Sequence, residues 1–173
     1  MDRLLSVVVS VYNEEKALEE FYRETGRVLK GLDWDYELVF VNDGSADGSL
    51  AILDSLAERD SRVKVVSFSR NFGHEAAMIA GLDYSSGDAV VCMDADLQHP
   101  PECIPDILAK FEEGYQVINM VRTKNRTAGL VKNITSSGFY WLINRISDVH
   151  FEANASDFFA VSRHVAQVLK DSY

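Results

Sequence analysis

Two carboxylates, Asp94 and Asp96, stand two residues apart immediately after the apolar run Ala89-Val90-Val91-Cys92-Met93. An extended backbone aims alternate side chains to one side, so both carboxylates could face one ion. A hard divalent cation such as Mg2+ or Mn2+ takes oxygen ligands, usually one or two carboxylates completed by waters and substrate phosphates. Gln98, two residues further on, offers a neutral oxygen to the same set. The competing reading is that the Asp residues only cap turns or the next helix.

Three more polar stretches have the same kind of position, each after an apolar run. They are Tyr12-Asn13-Glu14-Glu15, Asn42-Asp43-Gly44-Ser45-Ala46-Asp47-Gly48-Ser49 and Arg70-Asn71-Phe72-Gly73-His74. Asp43-Gly44 is turn chemistry, and Asp43 could also accept hydrogen bonds from a nucleobase or ribose. Glu14 and Glu15 suit the first turn of a helix with or without a ligand. His74 and His99 have no partner at metal-ligand spacing, so each is read as solvated or hydrogen-bonded. Cys92 reads as buried and inert.

The elements that must position these residues follow from hydrophobic period. Leu4–Val11 is a near-continuous apolar run, as in a strand covered on both faces. Asn13 offers an N-cap, Leu18, Phe21, Thr25, Val28 and Leu29 follow at helical spacing, and Gly31 can stop that helix. Strands are predicted over 36–41, 63–67, 89–93, 116–121 and 158–161, and helices over 49–58, 74–84, 104–113, 136–146 and 163–170. Residues 122–135 have no clear period and read as a loop. Phe139-Tyr140-Trp141-Leu142 reads as core rather than membrane contact. Strand–helix alternation with short connections predicts an α/β fold, a Rossmann-like, mostly parallel sheet with helices on both faces. In such a sheet ligands bind beyond the carboxyl ends of the strands, which is where all four polar stretches fall.

Composition narrows the function. The chain has 173 residues, 47% hydrophobic and 25% charged, which predicts one globular domain over 1–173. Seventeen Lys and Arg against 27 Asp and Glu leave a net charge of −10, which disfavours nucleic acid as a partner. Two Cys residues form no disulfide framework and suit a reducing compartment. No stretch approaches the roughly 20 apolar residues that span a bilayer. The charge is unevenly divided. Residues 115–147 hold five basic residues (Arg122, Lys124, Arg126, Lys132 and Arg145) and no acid, so that segment is +5 and the remainder −15. A loop of that sign suits a diphosphate or an anionic lipid surface.

Val9-Ser10-Val11-Tyr12-Asn13-Glu14-Glu15, Val41-Asn42-Asp43-Gly44-Ser45 and Asp94-Ala95-Asp96-Leu97-Gln98-His99-Pro100 resemble the family 2 glycosyltransferases. Arg70-Asn71-Phe72-Gly73 and Ser156-Asp157-Phe158 resemble their polyprenyl-phosphate branch, which includes dolichyl-phosphate mannose synthase and bactoprenol glucosyltransferases. The resemblance implies a GT-A fold and inverting transfer from a UDP- or GDP-linked sugar to an acceptor, expected to be a polyprenyl phosphate. It implies that Ser10, Tyr12, Glu14, Val41 and Asp43 line the nucleoside pocket and that Asp94 and Ala95 approach the ribose and diphosphate. Asp96, with Asp94 and Gln98, would hold Mg2+ or Mn2+. Arg122 would face the diphosphate or acceptor phosphate, and Asp157 would serve the acceptor side. It also implies work at the cytoplasmic face of a membrane.

Three departures stand out. The family usually has Pro where this chain has Ser10, and the branch often has Arg where this chain has Phe159. Many members also continue into transmembrane helices, so the chain is read as a short form or a catalytic-domain piece. Rival readings are a binding module without turnover, a receiver domain and a haloacid-dehalogenase-type phosphatase using Asp94. The phosphatase needs a downstream acidic pair, and no acid lies between Gly114 and Ser147.

Overall fold

The computed structural model describes residues 3–121 and 155–171. Its centre is a six-stranded sheet built from β1 (Leu4–Val11), β2 (Asp35–Asn42), β3 (Val63–Ser67), β4 (Ala89–Asp94), β5 (Val117–Val121) and β6 (Ala155–Ser162), in the order β3-β2-β1-β4-β6-β5. The pairs β2–β3, β1–β2 and β1–β4 are parallel. β6 pairs antiparallel with both β4 and β5. Five strands therefore run one way and only β6 opposes them, which gives the mostly parallel sheet that the alternation predicts. The sequence pattern misses two details. β6 is longer than 158–161, and it separates β4 from β5.

Helices cover both faces: α1 (Leu18–Leu29), α2 (Ser49–Arg59), α3 (His74–Tyr84), α4 (Ile104–Glu112, after a 3-10 turn at Pro101–Cys103) and α5 (Arg163–Lys170). Strand side chains alternate between two cores. Val7, Val9, Phe40, Val91 and Met93 pack with Phe21 of α1, Leu53 of α2 and Ile107 of α4. Val8, Val39, Val90 and Cys92 face the other way, onto Met78 and Leu82 of α3 and Ala166 of α5. Each fully buried large side chain contributes about 1.5–3 kcal/mol relative to exposure. α3 lies close to the sheet because Gly81 has no side chain; a Cβ there would collide with Val8 and sit 3.3 Å from Val41 Cγ2. That close approach carries the first residue of α3, His74, to the carboxyl ends of β1 and β4.

Asn13 does not cap α1. The helix begins at Leu18 with Ala17 in the cap position and no side-chain cap bond. Asn13 instead takes a left-handed backbone (φ 57°), which Asn tolerates better than most residues. Its amide oxygen is already used, accepting from the Ala46 N–H at 2.8 Å. Among the described residues no helix is long and apolar enough to cross a membrane. The predicted loop over 122–135, the helix over 136–146, the Phe139-Tyr140-Trp141-Leu142 cluster and most of the basic segment lie outside the described residues.

Candidate active site

The loops after β1 and β2 are stitched into one rim by short hydrogen bonds. The Asn13 N–H donates to Ser45 Oγ at 3.0 Å, and the Glu14 N–H to Ser49 Oγ at 2.9 Å. Glu15 receives the Gly48 N–H at 2.7 Å while its own N–H reaches Asp47 at 3.2 Å. Asn42 accepts from the Ser45 N–H at 3.1 Å and donates to Ser67 Oγ at 3.0 Å, which joins the end of β3. Glu15 is thereby a structural residue. Ser49 is likewise a receptor for the Glu14 amide rather than the cap of α2, which has Gly48 in that position.

Asp43 holds the third loop. It is 3% exposed, and its two oxygens accept the Phe72 N–H at 2.7 Å and the Gly73 N–H at 3.0 Å. The loop comes so close that only a glycine fits next to Asp43. Gly44 has φ 64°, and a Cβ there would lie 2.7 Å from Arg70 Cα and 2.6 Å from Asn71 N. Of the two readings offered for Asp43, the turn-holding one describes its contacts here. Tyr12 stands at the same rim with 49% of its surface exposed, an aromatic face open to a ligand. Val41 differs from expectation: its side chain is fully buried and points beneath α3 at Gly81, so only its main chain is left to reach a nucleoside.

Asp94 ends β4, and its in-register neighbour on β1 is Ser10. The Ser10 hydroxyl donates to Asp94 Oδ1 at 2.8 Å. His74 Nδ1 lies 2.9 Å from Ser10 Oγ and 3.4 Å from Asp94 Oδ1. Ala95 turns to the opposite side of the sheet and is buried in the larger core. The extended run stops at Asp94, so Asp96 sits in a turn, where its Oδ1 accepts the Gln98 N–H at 2.9 Å. Alternation therefore accounts for Asp94 and Ala95, while a turn sets Asp96 and the exposed Gln98.

The carboxylates nonetheless act on one another. Partial burial pushes the Glu14 carboxyl above its usual range, and the negative charges of Asp96, Asp94 and Asp47 push it further. Among the described residues no Lys or Arg forms an ion pair with Glu14, Asp94 or Asp96. No group of three His, Cys, Asp or Glu side chains among them is gathered as a ready-made cage. Hard carboxylate oxygens too few to enclose an ion fit Mg2+ or Mn2+ whose shell is completed by phosphate and water. Sequence reasoning did not find the pairing of His74 with Ser10, because 64 residues separate them.

Arg122 lies outside the described residues. The backbone of Asp157 belongs to β6. Cys92 pairs with Phe159, and Asp94 and Asp157 each lie two residues beyond that pair, so their backbones reach the same rim.

The family model for glycosyl transferase family 2 matches residues 6–167. The uncharacterized glycosyltransferase YkcC of Bacillus subtilis strain 168 is 44% identical over 165 residues, covering 95% of this chain and 51% of that protein. The bactoprenol glucosyl transferase of Shigella phage SfV is 42% identical over 166 residues, covering 96% of this chain and 54% of that protein. The chain thus spans about half the length of the curated relatives it matches. A crystal structure of glucosyl-3-phosphoglycerate synthase from Mycobacterium tuberculosis, in complex with Mn2+, UDP and glucosyl-3-phosphoglycerate, superposes with a TM-score of 0.62 at 26% identity, covering 94% of this chain and 58% of that one. Fold, motif placement and these similarities agree: the chain belongs to glycosyl transferase family 2 and has the GT-A fold.

Proposed function

We propose that this chain is the catalytic domain of an inverting glycosyltransferase that moves a sugar from a UDP- or GDP-linked donor to a polyprenyl phosphate. The observation that carries the reading is the rim where Asp94 ends β4 beside Ser10, with Asp96 in the following turn and no Lys or Arg among the described residues paired with either. The 42% identity to a protein named bactoprenol glucosyl transferase supports the acceptor.

Asp94 and Asp96, with Gln98, would hold Mg2+ or Mn2+. When bound, the ion supplies positive charge against the diphosphate as it leaves, where charge develops most in the transition state. Tyr12 offers its exposed ring to the base, and Ser10 and Asp43 keep Asp94 and the Phe72-Gly73 loop in place. Ala95 and Val41 contribute main chain and shape, since both side chains are buried. Arg122 would meet the diphosphate or acceptor phosphate. In the transfer, a phosphate oxygen of the acceptor bonds to the anomeric carbon from the face opposite the leaving group. The bond from that carbon to the diphosphate oxygen breaks, and its electron pair leaves with the nucleoside diphosphate. The attacking oxygen is already anionic near neutral pH, so no base has to take a proton. With a hydroxyl acceptor Asp157 would take that proton. The basic segment at 115–147 would bring the domain to the cytoplasmic face of a membrane carrying the lipid.

The test is a panel of UDP- and GDP-sugars with Mn2+ or Mg2+, each with and without a short-chain polyprenyl phosphate, read as released nucleoside diphosphate. One donor should turn over only with metal and lipid phosphate together. Turnover with a sugar hydroxyl acceptor but not with the lipid would reassign the acceptor. Silence with every donor, together with no gain in thermal stability from any nucleoside diphosphate plus metal, would sink the whole reading.

A further inference from the structure

Ser10 occupies a position where the resembled family usually carries Pro, which has no hydroxyl. Here that hydroxyl lies between two groups that sequence keeps far apart. The β1–β4 register sets Ser10 beside Asp94 on the face that α3 covers, because Val8 and Ser10 on β1 and Cys92 and Asp94 on β4 alternate onto that face. His74 reaches the same point from the first position of α3, itself drawn to the sheet by Gly81.

The hydrogen count fixes the direction of the chain. A carboxylate only accepts, so the single Ser10 hydrogen goes to Asp94 Oδ1 at 2.8 Å. Ser10 Oγ is then the acceptor for His74 Nδ1, 2.9 Å away, and that nitrogen carries a hydrogen. The relay runs from His74 Nδ1–H to Ser10 Oγ–H to Asp94 Oδ1. It pins one oxygen of Asp94 from the side of β1 and leaves Oδ2 outside both contacts.

We propose that Ser10 and His74 are positioning residues, a relay that fixes the Asp94 carboxylate so that it presents Oδ2 to the divalent cation. The proposal rests on the metal site inferred above and adds residues to it. Partners that orient a metal-binding side chain typically change metal affinity by about 10- to 100-fold when removed.

The experiment titrates Mn2+ into the full 173-residue chain in the presence of UDP and reads free Mn2+ by its electron paramagnetic resonance signal, with no turnover involved. Ser10→Ala and His74→Ala should each weaken Mn2+ binding about 10-fold. Ser10→Thr, which keeps the hydroxyl, should bind like the parent. In an Asp94→Asn background, Ser10→Ala should add no further loss, because the oxygen it orients no longer serves. A merely structural role would lower the melting temperature and leave Mn2+ affinity unmoved. The relay is overturned if Ser10→Ala and His74→Ala bind Mn2+ as tightly as the parent, or more tightly, while Asp94→Asn has lost at least 10-fold. If Asp94→Asn and Asp96→Asn themselves bind Mn2+ like the parent, the metal site fails and the relay fails with it. Should Ser10→Ala not fold, His74→Ala decides alone, since that side chain is partly exposed at a helix start.

Discussion

Strand β1 carries two serines on one face, four residues apart, and each gives its hydroxyl to a carboxylate on a neighbouring strand. At the amino end Ser6 donates to Glu37 of β2 at 2.6 Å. At the carboxyl end Ser10 donates to Asp94 of β4 at 2.8 Å. Their surroundings are opposite. Glu37 is 6% exposed, with Lys64 Nζ 2.6 Å away and the Ser86 N–H donating at 2.6 Å, while the Gly87 N–H closes on Ser6 Oγ at 2.8 Å. Burial raises the Glu37 carboxyl, but Lys64, Ser6 and Ser86 outweigh it and hold it below the usual range. Asp94 has a histidine nitrogen 3.4 Å away instead, and its charge helps to push nearby Glu14 up. The same local contact is thus a finished clamp where Lys64 pairs with the carboxylate, and the support of the proposed metal site where no Lys or Arg among the described residues does. Among the described residues, a carboxylate without a paired cation is the physical mark that separates the proposed site from scaffold.

The largest effect should come from the open end. Asp96→Asn should lower metal-dependent release of nucleoside diphosphate by on the order of 100-fold or more, the scale seen when transition-state charge loses a stabiliser. Its melting temperature without metal should hold or rise, because repulsion on Glu14 is relieved. A clear fall in melting temperature would erase the distinction between the two ends.

The clamp should behave conversely. Glu37→Ala removes the acceptor of the Ser86 amide and the Ser6 hydroxyl and the ion-pair partner of Lys64, and should cost about 2–3 kcal/mol in urea unfolding. This is less than for a fully buried pair, since Lys64 is partly exposed. Turnover per folded molecule should survive.

Ligand sharpens the contrast. Mn2+ with the matching nucleoside diphosphate, at about 100 times its dissociation constant, should add about 2.7 kcal/mol to the stability of the parent. It should add the same increment to Glu37→Ala and none to Asp96→Asn.

The smallest effect is in pH dependence. Glu37 and Asp60 titrate below their ordinary values of 4.5 and 3.8, Asp60 chiefly because of the Arg62 guanidinium. Their stabilisation is present above those values and is lost as pH falls through the depressed ones. Glu14 has the opposite sign: stability is greatest below its ordinary 4.5 and declines as pH climbs through the raised value. Asp60→Asn should therefore flatten the acid limb of a stability–pH curve, and Glu14→Gln should lift the curve near neutral pH. Saturating Mn2+ with nucleotide should shrink the Glu14→Gln gain.

Much of this was legible in the chain. Leu4–Val11 and the run before Asp94 are too uniformly apolar to be anything but covered strands, and polar loops after them had to meet at one rim. Asp94 was legible as the polar end of a covered strand, whereas Asp96 was not, because a turn and not strand alternation places it. Other features were not legible. Asn13 looked like a helix cap, yet its amide serves a loop more than thirty residues away, a partner no local pattern names. Val41 looked like a pocket residue, but Gly81 draws α3 down over its side chain. β6 read as a short strand, and nothing in its period said that it would run antiparallel between β4 and β5.

By itself, then, the sequence determined most of the described strands and helices and the acidic loops at their ends, because period and side-chain chemistry are local properties. Only the tertiary structure decided which hydroxyl meets which carboxylate. Ser6 and Ser10 are the same residue type on the same face of one strand. Sheet register and helix approach, set by contacts across 31 to 84 residues, made one part of an ion-paired clamp and set the other between His74 and Asp94.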